Sequence, residues 1–246
     1  MQLAPSLHRI GSSSLVNSYL VATPEGITVI DTGLRGQWRD FLAEVTAMGR
    51  SLDDIRGVLL THGDVDHTGF AERLRRERGV PVWVAEADAA EARGEVKKPA
   101  AEKDRMKVLP LLRFLWFGLT HGGLGSTPIA EVRIARPGET IDLPGAPRVI
   151  GMPGHTPGSV AYHVPAVDAV FLGDAMTTRS VLTGEARPAL APFTVDRRAA
   201  FRALEALDGI EAHWVLPGHG EPWDGGLSPA LAALRASAGR EAGPAG

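Results

Sequence analysis

The chain contains no cysteine. Disulfides and thiolate metal ligands are excluded, so any metal site must be built from imidazole and carboxylate groups. Tyrosine is nearly absent, with only Tyr19 and Tyr162. No apolar run reaches the roughly 18 residues that a membrane-spanning helix requires, and no membrane partner is expected. Basic residues are not in excess. The 26 Lys+Arg face 29 Asp+Glu for a formal net charge of −3, so the basic footprint of a nucleic-acid binder is missing. The stretch Met1–Arg9 has no basic start followed by an apolar run, which gives no signal-peptide pattern. Together with the missing cysteines, this leads to the expectation of a cytoplasmic protein.

What is present fits a globular α/β chain. Neither an internal repeat nor a linker divides the 246 residues, so one domain over 1–246 is expected. Residues 15–22 and 26–30 are apolar runs rich in β-branched residues, separated by Thr23-Pro24-Glu25, and predict a hairpin. Residues 37–48 place Trp38, Phe41, Leu42, Val45 and Met48 at helical spacing before Gly49. A short buried strand is predicted at 57–61, a helix at 70–78 and a strand at 80–85. Further strands are predicted at 131–135, 147–150, 159–164, 168–172 and 213–216. A helix is predicted from Asp196 to Gly209, and a last one from the Ser228-Pro229 cap to about Gly239. The tail 240–246 is rich in Gly, Ala and Pro and is expected to fray.

Residues 95–128 stand apart as an expected helical insertion. They open with charges, including Lys97, Lys98, Lys103 and Arg105, pass through the apolar 108–119, and end in the Gly-rich 121–125. The apolar part has three open readings: a helix packed over the core, a lid or wall over a site, or a contact in a homodimer. Within and beside it, Trp116 and His121 are candidate substrate contacts, with a solvent-facing loop position as the alternative for His121. His8 is expected in an exposed N-terminal strand, and His163 and His213 as packed or surface histidines. Arg73, Arg75, Arg76 and Arg78 read as a solvated helix face.

The chemistry concentrates in Thr61-His62-Gly63-Asp64-Val65-Asp66-His67-Thr68-Gly69. Four metal-ligand side chains fall within six residues directly after a buried strand. On extended backbone His62 and Asp64 project the same way, and Asp66 with His67 can aim at a second point nearby. Such crowding of carboxylates and imidazoles is electrostatically costly without cations. Three more ligand types sit at strand ends beside glycines: His155 in Gly154-His155-Thr156-Pro157-Gly158, Asp174 after Gly173, and His219 between Gly218 and Gly220. Glycine lets the backbone bend sharply and approach a metal closely.

These motifs, in this order, resemble the metallo-β-lactamase superfamily, whose signature is usually written HxHxDH. Asn17–Val21 and Val29–Gly33 also resemble its opening hairpin, so the resemblance spans about residues 15–220. It implies an α/β fold, a four-layer αββα sandwich, and a dinuclear site for two divalent metal ions. In that scheme His62, Asp64 and His155 would hold the first ion. Asp66, His67 and His219 would hold the second, with Asp174 bridging. Asp31 would orient a ligand, although capping the helix near Gly36 is its plain alternative. Asp64 stands where the family usually has His. Zn²⁺ is the first expectation, and the added carboxylate also admits Mn²⁺ or Fe. Asp64 either ligates fully or binds weakly and leaves the first site partly filled.

The implied activity is metal-assisted hydrolysis, in which two cations about 3.5–4 Å apart acidify water between them. Asp66 is the candidate catalytic residue, orienting the nucleophile or passing its proton to the leaving group. Several family branches fit poorly. The ligand set is not that of a typical β-lactamase. Residues 175–218 lack the tyrosine usual in acyl-homoserine lactonases. The large extra domain of the nucleases has no room, and only residues 220–246 follow His219, too few for the helical domain of hydroxyacylglutathione hydrolases. A small-molecule ester, thioester or lactone hydrolase ranks first. A phosphodiesterase-type hydrolase, a di-iron redox protein and a catalytically silent metal-binding relative are the competing readings.

Overall fold

The computed structural model describes residues 1–123, 125 and 127–241, with side chains described as far as Ser237. Two β-sheets are stacked face to face between layers of helix. The first contains β1 (Gln2–Ala4), β2 (Leu7–Arg9), β3 (Tyr19–Thr23), β4 (Gly26–Ile30), β5 (Ile55–Leu59), β6 (Val82–Val84) and β7 (Arg133–Ile134), in sequential order. Strands β1 to β4 pair antiparallel, and β4 to β7 pair parallel. The second sheet begins with β8 (Arg148–Gly151), β9 (Val160–Val164) and β10 (Ala169–Gly173). A separate hairpin of β11 (Thr177–Arg179) and β12 (Ala186–Ala189) follows, and β13 (Trp214–Pro217) completes the second sheet in the order β13-β10-β9-β8.

The layering follows from the two-residue period of a strand. Leu59, Ile30, Val21 and Trp83 face inward and meet Phe171, Tyr162, Val149 and Leu216 of the opposing sheet. Their neighbours Val58, Leu60, Val29, Leu20 and Val82 face outward. They pack on α1 (Trp38–Ala47), α2 (Ala71–Arg78) and α3 (Glu86–Ala92) through Phe41, Val45, Leu74, Ala89 and Ala92. After α4 (Val108–Thr120), the second sheet repeats the scheme. Val170, Leu172 and Val215 pack outward on α5 (Arg197–Ala203) and α6 (Leu227–Glu241) through Ala200, Leu227, Leu231 and Leu234. Central strands buried on both faces read as continuous apolar runs, as β10 does throughout and β5 does after Arg56. The result is the expected αββα arrangement.

Several boundaries moved. Residues 15–18 were expected in the first hairpin but leave the sheet to strap the His219 loop. Asn17 donates its backbone N–H to Gly218 O, and its side-chain amide donates to Pro217 O and Gly220 O. Strand β1 was not anticipated, whereas β2 is the N-terminal strand expected around His8. His8 lies in β2 but is buried rather than exposed, with Nδ1 2.8 Å from Glu44 Oε1. Helix α6 begins at Leu227, so Ser228 and Pro229 fall inside its first turn, and it runs on to Glu241. Of the tail expected to fray, residues 242–246 lie outside the described residues, as does Leu124 of the Gly-rich run. Among the described residues, no helix is long and apolar enough to cross a membrane.

Candidate metal centre

The topology gathers one set of strand ends. Strands β4 and β5 are parallel, as are β10 and β13. Strand β8 runs with β10, because both pair antiparallel with β9. Asp31, the 61–67 loop, His155, Asp174 and His219 all emerge beyond the C-terminal ends of these strands. Ligand-type residues spread along the chain from 62 to 219 therefore meet at one edge of the sandwich.

Each imidazole is held by Nδ1, which turns Nε2 toward the centre. Asp31 ends β4 in the left-handed region at φ 56°, a conformation that Asp tolerates better than most residues. Its carboxylate accepts from Thr61 N at 2.7 Å, Thr61 Oγ1 at 2.8 Å and His67 Nδ1 at 2.8 Å. Because the Thr61 hydroxyl donates to Asp31, its oxygen is left to accept from His62 Nδ1 at 2.9 Å. Asp31 thus fixes His67 directly and His62 through Thr61. It caps no helix: the residue before the 35–37 turn is Leu34. His219 Nδ1 donates to Leu15 O at 2.5 Å, and His155 Nδ1 lies 3.3 Å from Thr194 Oγ1. Fixing one nitrogen of a histidine sets the direction of the other.

The Nε2 atoms and carboxylates form three overlapping groups, each with atoms within 4.8 Å of one another. These are His62, Asp64 and His155; His62, His67 and Asp174; and Asp66, His67 and His219. Asp174 sits among them. Its Oδ2 lies 3.1 Å from His219 Nε2 and 3.4 Å from His155 Nε2, and its Oδ1 lies 3.5 Å from His67 Nε2. All seven sequence-selected ligand candidates are therefore adjacent. Close backbone approach makes this possible. A Cβ added to Gly218 would stand 2.2 Å from Asp174 Oδ1, and one added to Gly173 would stand 2.3 Å from Thr61 Oγ1.

The electrostatics match a centre that expects cations. Burial opposes charging His67 and His219, yet the facing carboxylates prevail. Asp31 and Asp174 push His67 up to about 10, and Asp174 pushes His219 up to about 9. Burial also opposes ionising Asp174, but His219, His155 and His67 hold it well below the usual carboxylate range. His155 moves the other way, lowered by its burial. Among the described residues, His62 Nε2, His67 Nε2 and Asp174 Oδ1 are buried atoms with no hydrogen-bond partner. Buried polar atoms are rarely left so, and these three belong to one of the ligand groups.

Three contributors were not singled out from the sequence. Asp88, buried on α3, accepts from Gly63 N at 3.0 Å, Thr156 Oγ1 at 2.6 Å and Gly158 N at 2.7 Å. It ties the 62–67 loop to the His155 loop. Helix α3 is Ala- and Glu-rich with no large apolar periodicity, so nothing marked it. Lys98 lies beside Asp64 and His155, with Nζ 2.5 Å from Asp64 Oδ2 and 2.8 Å from His155 Nε2. Glu91 is pushed up to about 7 by burial and by the charges of Asp64 and Asp88.

A cavity of about 670 Å³ opens over the centre, bounded by Asp64, Asp66, His155, Asp174 and His219 on one side. Its other wall is apolar, from Val96, Phe114, Leu115, Leu119 and Phe193. Helix α4 is thus a wall of the site. The helix also packs over a small apolar cluster, with half-buried Leu111, Phe114 and Phe117 against Leu15, Val181 and Leu182, although none of its residues is fully buried. Trp116 and His121 do not line this cavity. The helical period turns Trp116 away, 67% exposed, and His121 stacks on Phe117 at 4.0 Å between ring centroids. Both border a different surface hollow with Ser12, Asp40 and Arg113.

Comparison with known proteins agrees with this geometry. A family model described as "Metallo-beta-lactamase superfamily" matches residues 13–219. The Bacillus subtilis (strain 168) protein named "Probable metallo-hydrolase YflN" is 23% identical over 237 residues, covering 86% of this chain and 83% of that protein. Among solved structures, the metallo-beta-lactamase family protein TTHA1429 from Thermus thermophilus superposes with a TM-score of 0.67. It is 21% identical, with 98% of this chain and 81% of that one covered. TTHA1623, solved in a di-iron-bound form, gives a TM-score of 0.59 at 28% identity, with 87% and 92% covered.

Proposed function

The chain belongs to the metallo-beta-lactamase superfamily, and we propose from that premise that it is a metal-dependent hydrolase of a small ester, thioester or lactone. One observation carries the reading. His62 Nε2, His67 Nε2 and Asp174 Oδ1, buried and without hydrogen-bond partners, meet in one ligand group between two others. An imidazole and carboxylate set without sulfur suits Zn²⁺, Mn²⁺ or iron. Zn²⁺ is the first assignment, and the di-iron form of TTHA1623 keeps iron in view.

In this reading His62, Asp64 and His155 would hold one ion and Asp66, His67 and His219 another, with Asp174 available to both. The bound metal supplies Lewis-acid polarisation of the scissile group and acidification of water. The chain's residues do the rest. Asp31 and Thr61 keep His67 and His62 aimed, so the ligand nitrogens need no reorganisation. Asp66 borders the cavity, and its carboxylate takes the proton of the attacking water and delivers it to the leaving group. The apolar wall of α4 accepts the acyl portion of the substrate and limits water access.

The test is metal analysis followed by a panel of chromogenic esters, thioesters, lactones and phosphodiesters, with and without chelator. Turnover of a carboxylic substrate that is lost on chelation and restored by zinc is expected. Metal-loaded protein inert toward the whole panel would refute hydrolysis and favour a silent binder. A di-iron redox protein is the second reading, supported by the carboxylate at Asp64 and by TTHA1623. Two irons with a visible-range chromophore would select it over colourless zinc.

A further inference from the structure

We infer that Lys98 acts as a tethered cation in the first ligand group, so that the chain holds one metal ion firmly and admits a second only by displacing this side chain. The inference rests on the metal-centre reading above and concerns how the two positions are filled.

The two ends of the centre are unequal. At the end formed by His62, Asp64 and His155, an ammonium is already in place. Lys98 Nζ contacts Asp64 Oδ2 at 2.5 Å and His155 Nε2 at 2.8 Å, which are two of the three ligand atoms of that group. Only 17% of the lysine side chain is exposed, and it meets Asp64 across a separation of 34 residues. At the other end, no lysine or arginine among the described residues forms a hydrogen bond or ion pair with Asp66, His67, Asp174 or His219. His67 Nε2 has no hydrogen-bond partner there, and neither have His62 Nε2 and Asp174 Oδ1, which with it form the middle group; of the first group, Lys98 occupies the Asp64 and His155 atoms and leaves His62 Nε2 open.

The residue types agree with this asymmetry. Position 64 carries a carboxylate where the resembling motif usually carries imidazole. A carboxylate can neutralise an ammonium, whereas a neutral imidazole cannot, so the departure at Asp64 suits the lysine that contacts it. An ammonium in contact with two ligand atoms and a divalent ion on the same atoms exclude each other, by volume and by charge. Lys98 lies on the irregular stretch between α3 and α4, so it can leave without disturbing a helix or strand. With the lysine in place, the first group still presents a fixed positive charge to the cavity that Asp64, Lys98 and His155 border.

The experiment is zinc stoichiometry and calorimetric titration of metal-stripped full-length protein, compared with Lys98→Met. For the wild type, one tight equivalent is expected. The second should bind about 100-fold more weakly, near the upper end of coupling between occupants of adjoining sites. In Lys98→Met, with unchanged melting temperature, two tight equivalents are expected. Two equally tight equivalents in the wild type, or a single one in a folded Lys98→Met, would overturn the inference. Should the variant fail to fold, anomalous scattering from wild-type crystals with one zinc equivalent decides. Zinc at Asp66, His67 and His219 with Nζ still beside Asp64 supports the inference, and zinc at His62, Asp64 and His155 refutes it. Absence of zinc binding in either protein is a different result, which removes the metal-centre reading itself.

Discussion

Asp31 Oδ2 lies 2.8 Å from Nδ1 of His67, and the same oxygen accepts the Thr61 hydroxyl that faces His62. One carboxylate therefore fixes two imidazoles of the centre while pointing away from it. Its backbone sits at φ 56°, and this turn carries the side chain from the end of β4 under the 61–67 loop.

Asp31→Ala should weaken zinc binding by about 10- to 100-fold, the usual effect of removing a group that orients a metal-ligating histidine. Competition against a chromophoric chelator measures it. Wild-type affinity in the variant would show that packing alone holds His67 and His62.

Asp66→Ala should lower turnover by about 100-fold or more, the scale of general acid–base assistance. Melting temperature should stay close to wild type, because Asp66 lies at the cavity rim rather than in the core. Turnover within a few-fold of wild type, with metal content restored by excess zinc, would remove Asp66 from the proton path.

Metal binding should release protons and strengthen as pH rises. In the metal-free protein the facing carboxylates push His67 up to about 10 and His219 up to about 9, which favours their protonated forms at neutral pH. A nitrogen must lose its proton to ligate. Below these values each proton displaced adds about tenfold in affinity per pH unit, and the dependence flattens once pH passes them. Calorimetry at pH 7 in buffers of different ionisation enthalpy reads the proton count directly. Zinc affinity that stays the same from about pH 6 to about pH 8 would contradict the charge assignment.

The wall formed by α4 should govern substrate choice through Leu115 and Leu119 rather than through Trp116. Leu115→Ala should alter relative kcat/KM among acyl chain lengths while leaving metal content unchanged. The loss of one apolar contact with the substrate corresponds to about 10-fold in discrimination. Trp116→Ala should leave these ratios as they are. The reverse pattern would place the substrate on the opposite side of the helix.

The sequence by itself determined the residue types of the centre, their order and their place at strand ends. A strand buried on both faces reads as an apolar run, and a glycine beside His, Asp or His marks where that run ends, so β5, β8, β10 and β13 delivered His62, His155, Asp174 and His219 legibly. What only the tertiary structure decided depends on contacts distant along the chain. Asp88 bridges two loops from a helix with no distinctive pattern, and Lys98 reaches Asp64 from an irregular segment whose path no periodicity encodes. The rotation of α4, which sets Leu115 on the cavity over the centre and Trp116 on a different hollow, is likewise set by packing on Leu15, Val181 and Leu182. Local patterns specify what a segment is; which side chains meet across segments follows from how the two sheets close on each other.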